Sequence, residues 1–152
     1  MGRWLEHTVK SDIQAPVEQV WTVWNDLEAM PLWMSLIESV KTIEEPTKTL
    51  PDLTEWTLAA NGFRFKWKAQ ISERVETQKL KWESVGGLPT KGSVQFYSKE
   101  ESRTVVKLCV TYELPKVLAP LMEPNILGGM VTTEMQENLD RFKSLVEERY
   151  AH

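Results

Sequence analysis

Few side chains in this sequence combine the chemistry and the position that acid–base or nucleophilic catalysis needs. The alternation of residues 5–13 predicts a strand that directs His7 and Ser11 toward its apolar side. A lone imidazole in that position is more often a structural residue than a catalyst. Ser84 and Tyr112 also have inward parity, but no histidine–carboxylate pair accompanies either serine, so a nucleophilic triad is not predicted. We therefore predict no catalytic residue, and keep proton transfer by His7, Ser84 or Tyr112 as an alternative.

The sequence lacks the residue patterns that usually bind a metal ion or a phosphate group. The sequence has one cysteine, Cys109, and two histidines without paired spacing, so neither a disulfide nor a metal site is predicted. Gly86 and Gly87 join two predicted strands and do not open a helix, unlike a phosphate-binding loop. We predict no metal and no cofactor. Four strand carboxylates have outward or strand-end parity and are expected to be solvated: Glu55, Glu73, Glu83 and Glu113.

Large apolar side chains are the more informative feature of the inward positions. They include several tryptophans, while the polar tips among them are few: a serine, a tyrosine hydroxyl and indole N–H groups. That composition is typical of a pocket for an apolar or aromatic ligand held by a few hydrogen bonds, although a solid core would use the same residues. The predicted ligand-binding residues are Trp56, Phe65, Trp67, Trp82, Ser84, Phe96, Leu108, Tyr112, Leu127, Met130 and Met135.

A long amphipathic helix is predicted from Pro124 to Tyr150, because apolar residues recur there at spacings of three and four. At about 1.5 Å per residue it would run roughly 40 Å, enough to cross a small domain. Gly128 and Gly129 lie in its first turns, where each costs about 1 kcal/mol relative to alanine. They allow either close helix–sheet packing or a space that holds a ligand.

The remaining elements are predicted from residue periodicity and turn signals. Asn61-Gly62 is a strong hairpin signal, and short links between alternating strands indicate an antiparallel sheet with one covered face. An α+β fold follows. The predicted helices are 17–27 and 28–36, and residues 86–92 are predicted to form a loop. The predicted strands are 5–13, 38–44, 54–60, 63–72, 79–84 and 104–112, with a further strand through Val94 and Phe96.

Length and charge narrow the class of protein. The chain has 152 residues, which favours a single domain over 1–152. A net charge of −4 argues against a nucleic-acid partner and leaves at most transient membrane contact. No apolar run resembles a signal peptide or a membrane span, so a cytoplasmic location is expected. The sequence does not determine the oligomeric state.

Five segments resemble the START-like superfamily, and more narrowly its polyketide cyclase/dehydrase and coenzyme-Q-binding branch. They are residues 13–21, 26–34, 82–88, 91–96 and 138–143. The resemblance implies a helix-grip fold: a curved antiparallel sheet of about seven strands around a long C-terminal helix, two short helices after the first strand, and a deep cavity.

Two functions are compatible with the residues and with this resemblance. One is binding or transport of a small lipophilic molecule, such as an isoprenoid, a quinone, a lipid or a polycyclic aromatic compound. The alternative is an aromatase/cyclase or dehydratase that acts on a polyketide-like substrate. The scarcity of titratable inward groups favours the non-catalytic binder.

The connector from Leu114 to Leu127 is predicted to act as a lid. It carries more apolar residues than one short turn can bury, and prolines at 115, 120 and 124 prevent a continuous helix. Opening of this segment would admit a lipophilic ligand. The alternative is a connection packed against the core.

Overall fold

The architecture is an antiparallel sheet whose inner face is covered by helices. The computed structural model describes residues 3–43, 53–60, 62–114 and 124–151, and for residues 3, 60, 63, 114 and 124–130 it describes the backbone alone. The strands and helices are β1 Arg3–Ile13, α1 Val17–Asn25, a 3₁₀ helix Leu27–Leu32, β2 Ile37–Thr42, β3 Thr54–Ala60, β4 Phe63–Val75, β5 Lys79–Gly87, β6 Thr90–Glu100, β7 Arg103–Leu114 and α2 Pro124–Ala151.

The sheet has seven strands in the order β1-β7-β6-β5-β4-β3-β2, and every neighbouring pair is antiparallel. The predicted α+β, helix-grip architecture is therefore confirmed. The antiparallel β3–β4 hairpin predicted from Asn61-Gly62 is present, with Trp56 opposite Trp67 and Leu58 opposite Phe65. Gly62 in the turn has a φ of +83°, a conformation that glycine adopts without strain.

Helix α2 lies over the inner face and also protects the free edge of β1. Gln136 donates to the Lys10 carbonyl at 3.2 Å and Lys143 donates to the Asp12 carbonyl at 2.6 Å. The backbone N–H of Gln14 donates to Glu147 at 2.8 Å. An unpaired strand edge would be a template for association with another chain, so these side chains satisfy the edge and fix the position of the helix.

A cluster of aromatic rings closes one end of the domain. Trp24 on α1 packs edge-to-face on Phe142 of α2 at 5.0 Å between ring centroids, and Trp33 lies 4.9 Å from the same ring. Phe96 of β6 contacts Trp24 and Trp21 edge-to-face at 6.1 and 5.5 Å. Such geometries stabilise aromatic pairs beyond the area that they bury. Trp24 and Phe142 are fully buried, so this end is solid.

The second predicted helix, over residues 28–36, is wrong in type and extent. The chain forms a 3₁₀ helix that ends at Leu32, and Ile37 already begins β2. The N–H groups of Trp33 and Met34 both bond to the Met30 carbonyl, at 3.0 and 2.9 Å, which closes the last turn. Pro31 lies inside this helix and has no N–H to extend an α-helical ladder.

The predicted loop over residues 86–92 is also wrong, because β5 and β6 extend into it. Gly86 and Gly87 pair with β4, and β6 begins at Thr90. Gly87 has a φ of +87°, and a Cβ there would lie 2.8 Å from the Cα of Trp67. Gly87 therefore permits a close approach of two strands, which a sequence pattern does not distinguish from a loop.

Candidate functional site

The inner face of the sheet divides into a sealed half and an open half. Along β7, Val106 and Leu108 are 0% and 1% exposed, whereas Val110 and Tyr112 on the same face are partly exposed. Leu5 on β1 and Trp82 on β5 are likewise partly exposed, so the cover of the inner face is incomplete at this end. The sealed half is Ile13, Leu80, Val94, Phe96, Val106 and Leu108. The open half is Leu5, Leu58, Phe65, Trp82, Ser84, Val110 and Tyr112.

Two stacked indoles form a wall beside the open half. Trp56 and Trp67, opposite each other on β3 and β4, have ring centroids 5.9 Å apart and planes inclined by 10°. The Trp56 indole donates to the Thr54 hydroxyl at 2.8 Å, which fixes its ring. No described residue accepts a hydrogen bond from the Trp67 indole. The wall therefore consists of two largely buried rings, and only one of their N–H groups has a described acceptor.

Trp82 forms the floor of the open half by lying across a glycine. It pairs with Gly92 on β6, and a Cβ at Gly92 would lie 2.5 Å from the nearest atom of the Trp82 ring. Any larger residue at position 92 would displace the indole. In the described part of the chain the Trp82 N–H also lacks an acceptor. The position of the Trp82 ring thus requires a glycine at position 92. The sequence around Gly92 gives no sign of this role.

A hydrogen-bonded group of three side chains lies at the junction of β1, β7 and α2. Nε2 of His7 is 3.2 Å from the Tyr112 hydroxyl, and Nδ1 is 3.0 Å from the Thr132 hydroxyl. The imidazole and phenol rings also stack, with centroids 5.5 Å apart. A neutral imidazole has one donor and one acceptor nitrogen, so one hydroxyl donates to the ring and the other accepts from it.

Burial keeps both ionisable groups of this cluster uncharged near neutral pH. It lowers the pKa of His7 below its ordinary value, because the imidazolium would be poorly solvated. It raises the pKa of Tyr112 to about 12 for the corresponding reason. The site therefore offers neutral donors and acceptors, and the phenol retains its proton for donation.

Proton uptake by His7 at low pH and proton loss from Tyr112 at high pH are expected to limit stability at the two ends of the pH range. The unfolded chain takes up a proton at His7 from about pH 6.5 downward, before the folded protein does, so stability falls on acidification. At the alkaline end Tyr112 ionises near pH 10 in the unfolded chain and at about 12 in the folded one. Stability is therefore lost as pH rises between these values.

Urea midpoints measured across pH would test this expectation. Tyr112→Phe should reduce the loss of stability at alkaline pH, and His7→Gln should reduce the loss of stability at acid pH. Tyr97→Phe is the matched control, since Tyr97 lies exposed on the outer face. An unchanged alkaline limb in Tyr112→Phe would contradict the assignment.

Ser84 has inward parity as predicted, but it serves the β5–β6 connection. Its hydroxyl accepts from the Thr90 N–H at 3.1 Å. The Thr90 hydroxyl in turn donates to the Thr111 carbonyl at 3.1 Å. Ser84 is therefore engaged in positioning the connection, and it is not hydrogen-bonded to the His7–Tyr112 cluster.

The structure places the predicted site residues in two groups. Trp56, Phe65, Trp67, Trp82, Ser84 and Tyr112 belong to the open half or its wall. Phe96 and Leu108 belong to the sealed half, and Met135 is buried in the core. The side chains of Leu127 and Met130 lie outside the described part of the chain, as does most of the predicted lid. Sequence reasoning gave no role to Thr132, and strand parity marked Leu5 and Val110 only as inward-facing.

Two features are absent from the described part of the chain. No group of three or more His, Cys, Asp and Glu side chains is arranged there to hold a metal ion. No described helix is both long and apolar enough to cross a membrane. Cys109 lies on the outer face beside Ser93, away from the open half.

The fold and the open inner face define a START-like, helix-grip protein. A START superfamily protein from Mycobacterium smegmatis superposes with a TM-score of 0.68 at 14% identity, covering 99% of this chain and 98% of that one. The family model for polyketide cyclase/dehydrase and lipid transport matches residues 13–140. The chain therefore belongs to the polyketide cyclase/dehydrase and lipid transport family, as its motifs predicted.

Two other relatives show the range of similarity. An uncharacterised 17.2-kDa protein from the melC2–rnhH intergenic region of Streptomyces lincolnensis is 29% identical over 139 residues, 91% of this chain and 87% of the relative. The Zhui aromatase/cyclase from a Streptomyces species has a TM-score of 0.73 at 17% identity, with 98% of this chain and 96% of that chain covered. At that identity the second likeness shows the fold alone.

Proposed function

We propose that this protein binds and carries a small lipophilic molecule between the open half of the sheet and helix α2. The observation that carries the proposal is the contrast along β7, where buried Val106 and Leu108 give way to partly exposed Val110 and Tyr112 on the same face. Apolar side chains that are left partly exposed lack some of the contacts of a packed core. A ligand that covers them would form those contacts, and the apolar area buried would favour binding.

The chemistry of the open half favours binding over catalysis. Its walls are indole, phenyl and aliphatic groups, and its polar atoms are neutral at neutral pH. A flat or isoprenoid-like molecule would contact the stacked Trp56–Trp67 pair and the Trp82 ring, with its polar end near Tyr112. The family's lipid-transport members support the same class of ligand.

The test begins with the protein as purified. Native mass spectrometry and organic extraction should reveal an apolar molecule at one per chain. Ligand-free protein should then lose tryptophan emission when a short-chain benzoquinone is added, because quinones quench nearby indoles. The quenching should decrease in Trp82→Phe and persist in Trp4→Phe, since Trp4 is exposed on the outer face. Failure of both the extraction and the titration would contradict the proposal.

A second candidate function rests on the His7–Tyr112 hydrogen bond in the open half. A phenol that keeps its proton and has an imidazole in contact could protonate a carbonyl oxygen of a polyketide-like chain during cyclisation or dehydration. Conversion of such a chain by the purified protein, lost in both Tyr112→Phe and His7→Gln, would support an aromatase/cyclase or dehydratase. Conversion that persists in both variants would remove this candidate.

A further inference from the structure

The distribution of charge over the sheet restricts the kind of polar group that the open half can accept. The described lysine side chains of the strands lie on the outer face, as do Arg64 and Arg103, which pair there with Glu38 and Asp12. Arg74 lies opposite the inward-facing Leu80 in the β4–β5 pairing, but its side chain is exposed and lies at the opposite end of β4 from the open half. The outer-face lysines are Lys10, Lys41, Lys66, Lys68, Lys79, Lys81, Lys91, Lys99 and Lys107.

The open half instead provides neutral hydrogen-bond donors. The Trp67 and Trp82 N–H groups have no acceptor among the described residues. The Tyr112 hydroxyl contacts Nε2 of His7, and when that nitrogen carries the proton and donates to the phenol oxygen, the phenol proton is free to be donated to a ligand. Up to three neutral donors therefore line this half, and none of them carries a positive charge.

We propose that the ligand's polar end is an uncharged oxygen, such as a ketone, quinone or ester carbonyl, and that ligands ending in a carboxylate are rejected. This inference rests on the proposed binding function. A carbonyl oxygen exchanges its bonds to water for bonds to Tyr112 and the indoles at little net cost. An ionised carboxylate would lose its hydration without a cation to pair with among the described side chains of the open half, in a protein whose net charge is already −4.

Three probes with one ring system test the proposal by equilibrium dialysis at neutral pH: 2-acetylnaphthalene, 2-ethylnaphthalene and 2-naphthoate. The ketone should bind at least about tenfold more tightly than the carboxylate, because the buried charge is unpaired. Tyr112→Phe should weaken the binding of the ketone about five- to tenfold, which is the effect of losing one neutral hydrogen bond. The same substitution should change the binding of the hydrocarbon by less than about twofold. Tyr97→Phe, the matched control on the outer face, should alter neither.

The outcomes separate this inference from the function on which it rests. If none of the three probes binds, the proposed function fails for ligands of this size, and the inference fails with it. If the carboxylate binds as tightly as the ketone, the inference alone is overturned. Equal weakening of ketone and hydrocarbon by Tyr112→Phe would make Tyr112 a packing residue and also overturn the inference.

Discussion

Replacing Phe142 with alanine is expected to cost about 3–5 kcal/mol of unfolding free energy. The Phe142 ring is fully buried and contacts Trp24 at 5.0 Å and Trp33 at 4.9 Å between centroids. It joins α2 to α1 and to the segment that follows the 3₁₀ helix. These neighbours are themselves rigid rings, so they cannot collapse into the vacated volume and a cavity remains.

Thermal and urea unfolding would measure this loss, and the melting temperature should fall by about 10 to 15 °C. Tyr150→Ala is the matched control: it also removes an aromatic ring from α2, but that ring is 47% exposed. Its cost should stay below about 1 kcal/mol. A loss below about 1 kcal/mol for Phe142→Ala would show that the aromatic cluster does not hold the two helices together.

The second large effect is expected from a pair of enlargements on one strand. Val106→Phe should destabilise the protein by about 1–3 kcal/mol or more, because Val106 is fully buried in the sealed half. Val110→Phe should cost less than about 1 kcal/mol, because Val110 is partly exposed on the same face. The two substitutions add the same volume, so the difference between them reports the free space beside each residue.

The same pair separates stability from binding. Val110→Phe should abolish quenching by the quinone and uptake of 2-acetylnaphthalene while the protein remains folded, because the new ring occupies the ligand's space. Val106→Phe should retain binding at temperatures where it is folded. Equal destabilisation by the two substitutions would mean that the inner face is packed along its whole length, and the binding proposal would then lose its main support.

The sequence determined which face of each strand points inward, because side-chain direction alternates with a fixed period of two. Val9, Leu108 and Trp67 all lie where parity placed them. It also determined the start of α2 at Pro124 and the β3–β4 hairpin, since proline and Asn-Gly act through the local backbone. These features depend on residues close in sequence, which is why a single chain sufficed to predict them.

Three-dimensional packing decided the properties that depend on distant residues. The second helix ends at a 3₁₀ turn that the Trp33 N–H closes on the Met30 carbonyl, and Gly87 continues a strand because β4 passes close beside it. Phe96 and Tyr112 have the same parity, yet one is sealed among tryptophans and the other borders the open half.

The His7 cluster also required the tertiary structure. His7 meets Tyr112 and Thr132 across separations of 105 and 125 residues. Strand register brings β1 beside β7, and the bonds from α2 to the β1 edge bring Thr132 within reach. No local pattern encodes these contacts, so the sequence could supply the residues of the site but not their arrangement, which is set by register and by helix position.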